Sequence, residues 1–192
     1  MKFEEFKIKL KAANTEETVK SIYAQYFKID YDTSDKHDLY TPQVLFEFKY
    51  DKNFDNLKAL AKILAQSLYY IRRLKYEDSQ KMIPYFLCVA DKNEASITET
   101  NKWSNYYSND AYDWERPPSN PDEKLIDHLV KEPETQKLHI YKINLKGEHS
   151  SFKNALEKAL HPQMKIDFGD KKNINEGNFE SVFDHWKNIL GK

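Results

Sequence analysis

The segment Asp38-Leu39-Tyr40-Thr41-Pro42-Gln43-Val44-Leu45-Phe46-Glu47-Phe48-Lys49 decides how this chain folds. Pro42 suits a turn and cannot sit in a central strand, so Thr41-Pro42-Gln43 separates two strands, one near His37–Thr41 and one over Val44–Tyr50. Side chains alternate between the faces of a strand. Val44, Phe46, Phe48 and Tyr50 therefore form one apolar face, and Leu45, Glu47 and Lys49 share the other. A carboxylate and an ammonium thus fall in the middle of an apolar strand. Charges taken from water cost several kcal/mol each unless they are paired or bound to a metal.

Outward from this hairpin, the pattern alternates helices and strands. Before it, Asn14 offers an N-cap and Glu17 completes a capping box, followed by a helix over Thr15–Phe27 with Val19, Ile22, Tyr23, Tyr26 and Phe27 at helical spacing. Residues 1–13 alternate lysines with apolar groups and define no element by themselves. After the hairpin, Asp51 is read as a cap for a long helix over Phe54–Tyr76, whose stripe is Leu57, Leu60, Ala61, Leu64, Leu68 and Ile71. Strands follow at Tyr85–Ala90 and Ala95–Thr100. Then come a loop over Ser104–Pro121, a helix over Asp122–Lys131, a strand over Leu138–Leu145, and helices over Ser151–Leu160 and Asn178–Leu190. This order predicts an α/β fold, a small mixed sheet with helices on both faces. Residues 1–150 are expected to form the main domain, and 151–192 a helical appendage or connector.

Composition removes several classes of function. The 192 residues hold four glycines, and the first is Gly147. Walker loops, dinucleotide-binding fingerprints and nucleophile elbows all need glycine beside a strand, so none is present. Cys88 is the one cysteine, which excludes an intrachain disulfide and a Cys-rich zinc site. The opening Met1-Lys2-Phe3-Glu4-Glu5-Phe6-Lys7 is too charged for a signal peptide, and the longest apolar run, Ile83–Ala90, is far short of a membrane span. A reducing cytoplasm is the expected compartment. The net charge of −1 gives no global attraction to DNA or to a membrane surface.

Eight residues separate Asp38 from Glu47, and a hairpin turning at Pro42 brings the two carboxylates together. Such a pair calls for a cation, and one or two carboxylates with waters and a phosphate oxygen suit Mg²⁺. A neighbouring Lys49 can orient a water and offset charge growing on a phosphate. The tripeptide alone says little, since Glu5-Phe6-Lys7 repeats it without an upstream acid.

In this arrangement the segment resembles the PD-(D/E)XK nuclease superfamily, whose pattern is an acid at a hairpin and then Asp/Glu-x-Lys on the next strand of an αβββαβ core. Asp38 matches the first acid, Glu47 the second and Lys49 the lysine. His37 stands where the family pattern has proline. Gln66-Ser67-Leu68-Tyr69-Tyr70 fits the Gln-x-x-x-Tyr motif of the RecB-like branch, and Glu17 matches the acid that many members supply as a further metal ligand. The resemblance covers about residues 14–100 and the strand at 138–145. It implies a restriction-endonuclease-like core and a Mg²⁺-dependent DNA endonuclease, with Mn²⁺ as a substitute. Asp38, Glu47, Lys49 and Gln66 would be the catalytic set, and Asp38, Glu47 and Glu17 the metal ligands. The chain also looks like the N-terminal cleavage domain of restriction enzymes fused to an adenine DNA methyltransferase, or of a type I restriction subunit. DNA and further domains or subunits of a restriction-modification system are the implied partners. Two alternatives stay open: a non-catalytic DNA-docking or assembly module with the same fold, and a RecB-like exonuclease.

Contacts to DNA are expected from Tyr70, Arg72 and Arg73 along the long helix, with Lys7, Lys9 and Lys11 as a second basic stripe. Trp103, Tyr106, Tyr107, Tyr112 and Trp114 either stack on bases or cover a sheet edge.

Overall fold

The computed structural model describes residues 1–29, 39–77 and 81–161. Asp38 and the helix expected over Asn178–Leu190 lie outside them. Two compact units are present, Met1–Pro162 and Gln163–Lys192.

Within the described residues the architecture is α/β, with seven helices and a five-stranded mixed sheet. Helices α1 (Phe3–Ala12) and α2 (Glu16–Phe27) lead into β1 (Leu39–Tyr40) and β2 (Val44–Phe48). Helix α3 (Leu57–Tyr76) carries the chain to β3 (Phe86–Ala90), which turns into β4 (Glu94–Glu99). The short α4 (Ser104–Tyr107), α5 (Glu123–Lys131) and the short α6 (Pro133–Gln136) precede β5 (Tyr141–Lys142) and α7 (Lys146–Leu160). Strand order follows chain order. The pairs β1/β2, β3/β4 and β4/β5 are antiparallel, and β2/β3 is parallel, with α3 as its crossover.

The hairpin turns where proline demands it. Thr41 N–H donates to the Val44 carbonyl at 2.9 Å, and Val44 N–H donates to Thr41 Oγ1 at 2.9 Å. All five residues of β2 are buried, because each face of the sheet is covered. Val44, Phe46 and Phe48 pack with Phe6, Leu10, Val19, Tyr23, Phe152 and Leu156 from α1, α2 and α7. Leu45 and Leu87 pack on the other side with α3, Trp103 and α5. No helix among the described residues is long and apolar enough to cross a membrane.

Several elements differ from the sequence reading. Residues 3–12 form a helix because Phe6 and Leu10 recur at helical spacing and are buried, while the alternating lysines lie on exposed turns. Asn56, not Asp51, caps α3: its side chain accepts from Ala59 N–H at 3.1 Å. Asp51 instead adopts φ 55° at the end of β2 and pairs with Lys92 at 2.9 Å. Strand β5 is two residues long, and α7 starts at Lys146. That helix crosses the boundary expected at 150/151, and its Phe152, Leu156 and Ala159 are core residues of the first unit.

Candidate functional site

Helix α2 begins one residue later than the Asn14 cap implies. Thr15 is the N-cap, and its hydroxyl accepts from Thr18 N–H at 3.1 Å. Glu16 stands three and seven residues before the buried Val19 and Tyr23 and so lies on the packed side of the helix. Glu17 becomes an exposed side chain paired with Lys20 at 3.0 Å, whereas Glu16 reaches the end of β2. Glu16 Oε2 lies 3.5 Å from Lys49 Nζ. Of the two adjacent acids it is therefore Glu16, rather than the expected Glu17, that meets the strand. The signal for it in the sequence was its spacing, three and seven residues before Val19 and Tyr23.

Glu47 and Lys49 share the face that the alternation predicts. Lys49 Nζ donates to Glu47 Oε1 at 2.6 Å, and the two side chains are 11% and 3% exposed. The backbone beside them is fixed by the parallel ladder, since Lys49 N–H donates to the Ala90 carbonyl at 2.9 Å. On the hairpin side, Leu39 pairs with Phe46, so Asp38 and Glu47 are the chain neighbours of that rung. Asp38 itself is outside the described residues.

Gln66 lies on α3, 9% exposed, and Tyr70 follows one turn later, half-buried against the helix-facing core. Arg72 is taken up by the protein itself. Two of its nitrogens donate to the Tyr107 carbonyl at 3.1 Å and to Asp110 at 2.5 Å, and its guanidinium lies 4.8 Å from the Tyr76 ring and 4.9 Å from Trp114. It clamps the loop after α4 onto α3, which leaves Arg73 as the more available of the two adjacent cations. Trp103, Tyr107 and Tyr112 are buried in the same core, so their rings are not open to bases.

Asp91 is a polar group that sequence reading missed. It directly follows β3 and is fully buried. Its carboxylate accepts from the backbone N–H groups of Lys52 (2.9 Å), Asn93 (2.6 Å) and Glu94 (2.9 Å). Burial pushes its pKa above the ordinary carboxylate range, and these three donors hold it back. Asp91 thereby ties the loop after β2 to the turn after β3, at the edge where Lys49 sits. The Asp91-Lys92-Asn93-Glu94 run after a buried strand was the available signal.

The donors gathered here are carboxylate oxygens, which suit a hard divalent cation and not a soft one. Among the described residues no group of three acids, histidines or cysteines is close enough to hold a metal. Glu16 and Glu47 converge on Lys49. No family model, curated protein or solved structure matches this chain.

Proposed function

We propose that this chain is a Mg²⁺-dependent DNA endonuclease domain built on a restriction-endonuclease-like core, with the sequence-reading part of its system in other domains or subunits. One observation carries the reading: the buried Glu47–Lys49 pair stands at the end of the strand that crosses over through α3, with Glu16 brought to it from α2. Before α3 the described residues hold two strands, where the family pattern has three.

Asp38, Glu47 and Glu16 would hold the cation, which when bound supplies an activated water and neutralises charge on the scissile phosphate. Lys49 positions the water and offsets negative charge that builds on the phosphate oxygens. Glu16, exposed on its solvent side, is free to exchange the lysine for a cation without unfolding α2. Gln66 supports Lys49 or a phosphate from α3.

The test is nicking of supercoiled plasmid with Mg²⁺ or Mn²⁺. Wild type should cut, while Lys49→Ala, Glu47→Gln and Asp38→Asn should each lose about 10²-fold or more in rate. Equal cutting by wild type and Lys49→Ala removes the assignment. Cutting of linear fragments but not of closed circles would make the enzyme an exonuclease.

A further inference from the structure

We infer that the cleft between α1 and the β3–β4 turn is a docking groove for the phosphate backbone of duplex DNA, a placement that rests on the nuclease reading of the adjoining β2 edge. The cleft encloses about 340 Å³. Lys7 and Lys11 enter it from α1, one helical turn apart and therefore on one side of the helix. Lys92, Asn93 and Asn144 enter from the turn regions opposite, over a floor of Leu10 and Ile143. Three lysines and two side-chain amides around a partly apolar floor match a sugar–phosphate strand, whose charges repeat and whose sugars are apolar.

Two of the three charges, Lys7 and Lys11, are open to solvent. Lys11 has no ion-pair partner among the described residues. Among the described residues Lys7 forms an ion pair with Glu4 on its own helix, at 3.3 Å, and both side chains are exposed. Lys92 is held more closely: its side chain is 19% exposed, lies 4.5 Å from the Tyr50 ring and pairs with Asp51 at 2.9 Å. The exposed Lys7–Glu4 pair contributes little and exchanges readily for a phosphate, and the Asp51 side of the Lys92 pair is open to solvent. Lys9, by contrast, is turned to Glu5 and Gln25 and is not part of the cleft.

Position links the groove to chemistry. Lys92 follows Asp91, whose carboxylate binds Lys52 N–H, and Lys49 N–H bonds Ala90. The groove and the Glu47–Lys49 pair thus lie at the same end of the parallel strands β2 and β3.

The test is fluorescence anisotropy of a labelled 20-base-pair duplex with the full chain in EDTA, where nothing is cut, over 50–200 mM salt. The variant Lys7→Gln/Lys11→Gln/Lys92→Gln should bind at least about tenfold more weakly at the lowest salt. Its log–log salt slope should fall by about 2.7, since each phosphate contact contributes about 0.9. Replacing the same three residues with arginine should retain binding, and Lys9→Gln should stay within about twofold of wild type. Lys11→Gln alone, which breaks no ion pair, should lower the slope by about 0.9 and serves if the triple variant melts early. Wild-type affinity and slope in the glutamine variants overturn the groove. So does tighter binding of single-stranded RNA than of the duplex. Plasmid cleavage distinguishes the two readings: lysine-dependent binding without cutting leaves the groove standing and removes the nuclease, and cutting with unaltered binding does the reverse.

Discussion

Glu16 Oε2 lies 3.5 Å from Lys49 Nζ, and the same ammonium is 2.6 Å from Glu47 Oε1. One lysine thus bridges an acid from a helix on one face of the sheet and an acid on the strand itself. The contact exists because Glu16 lies on the same side of α2 as the buried Val19 and Tyr23, three and seven residues on.

Exchange of the two adjacent glutamates separates their roles. Glu16→Gln should weaken Mn²⁺ binding and slow plasmid cleavage by about tenfold or more, while Glu17→Gln should leave both within about twofold. Calorimetry with Mn²⁺ reads the first quantity directly. The opposite ranking would return the helix acid to Glu17 and remove the contact with Lys49 from the mechanism.

The Glu47–Lys49 pair should cost stability when it is halved and not when it is removed whole. Lys49→Met leaves a carboxylate that is 3% exposed without its ammonium, and denaturant unfolding should register a loss of about 3 kcal/mol. In Glu47→Leu/Lys49→Met that loss should shrink to about zero, because apolar side chains of similar size fit the buried strand. A double variant as unstable as the single one would mean the pair is held for packing.

Arg72→Gln should lower thermal stability by about 1–3 kcal/mol, since a buried carbonyl and two aromatic rings lose their cation. Its effect on the salt dependence of DNA binding should be near zero. Arg73→Gln should show the reverse, with little change in melting and a shallower salt slope. A shallower slope for Arg72→Gln would restore it as a phosphate contact.

His149 makes the fold acid-sensitive. It is buried among Phe3, Phe6 and Tyr26, with its Nε2 3.0 Å from the Tyr26 hydroxyl and Lys153 nearby. Burial, with the Lys153 charge as a smaller cause, pushes its pKa down to about 4 from an ordinary 6.5. The unfolded chain therefore binds a proton that the folded one refuses. Stability is full above about pH 6.5, declines as pH falls through that value, and has lost up to about 3 kcal/mol near pH 4. Urea unfolding across this range should show the decline in wild type and a flatter profile in His149→Phe. Parallel profiles would assign the acid sensitivity to other groups.

How much could be read in advance varied with the kind of signal. Strand β2 and helix α3 were legible because Phe46–Lys49 alternates cleanly and Leu57–Ile71 repeats at helical spacing, so burial on two faces and on one stripe had a single solution. Helix α1 was not, since lysines at every second position imitate a strand and conceal the spacing of Phe6 and Leu10. The choice of Glu16 over Glu17 was legible in part, since Glu16 stands three and seven residues before Val19 and Tyr23, but reading the helix from an Asn14 cap drew attention to Glu17 at its third position. The commitment of Arg72 to Tyr107 and Asp110 was invisible, as those partners lie 35 and 38 positions away.

Local periodicity was enough to specify an α/β chain with Glu47 and Lys49 on one face of a buried strand, because strand pleat and helix pitch are properties of the backbone alone. Which acid meets Lys49, which cation is left for a phosphate, and which lysines converge on a cleft are settled by contacts between distant segments. Those depend on how the faces of separate elements are packed against one sheet, and they join groups far apart in sequence, which the local pattern of each element does not register.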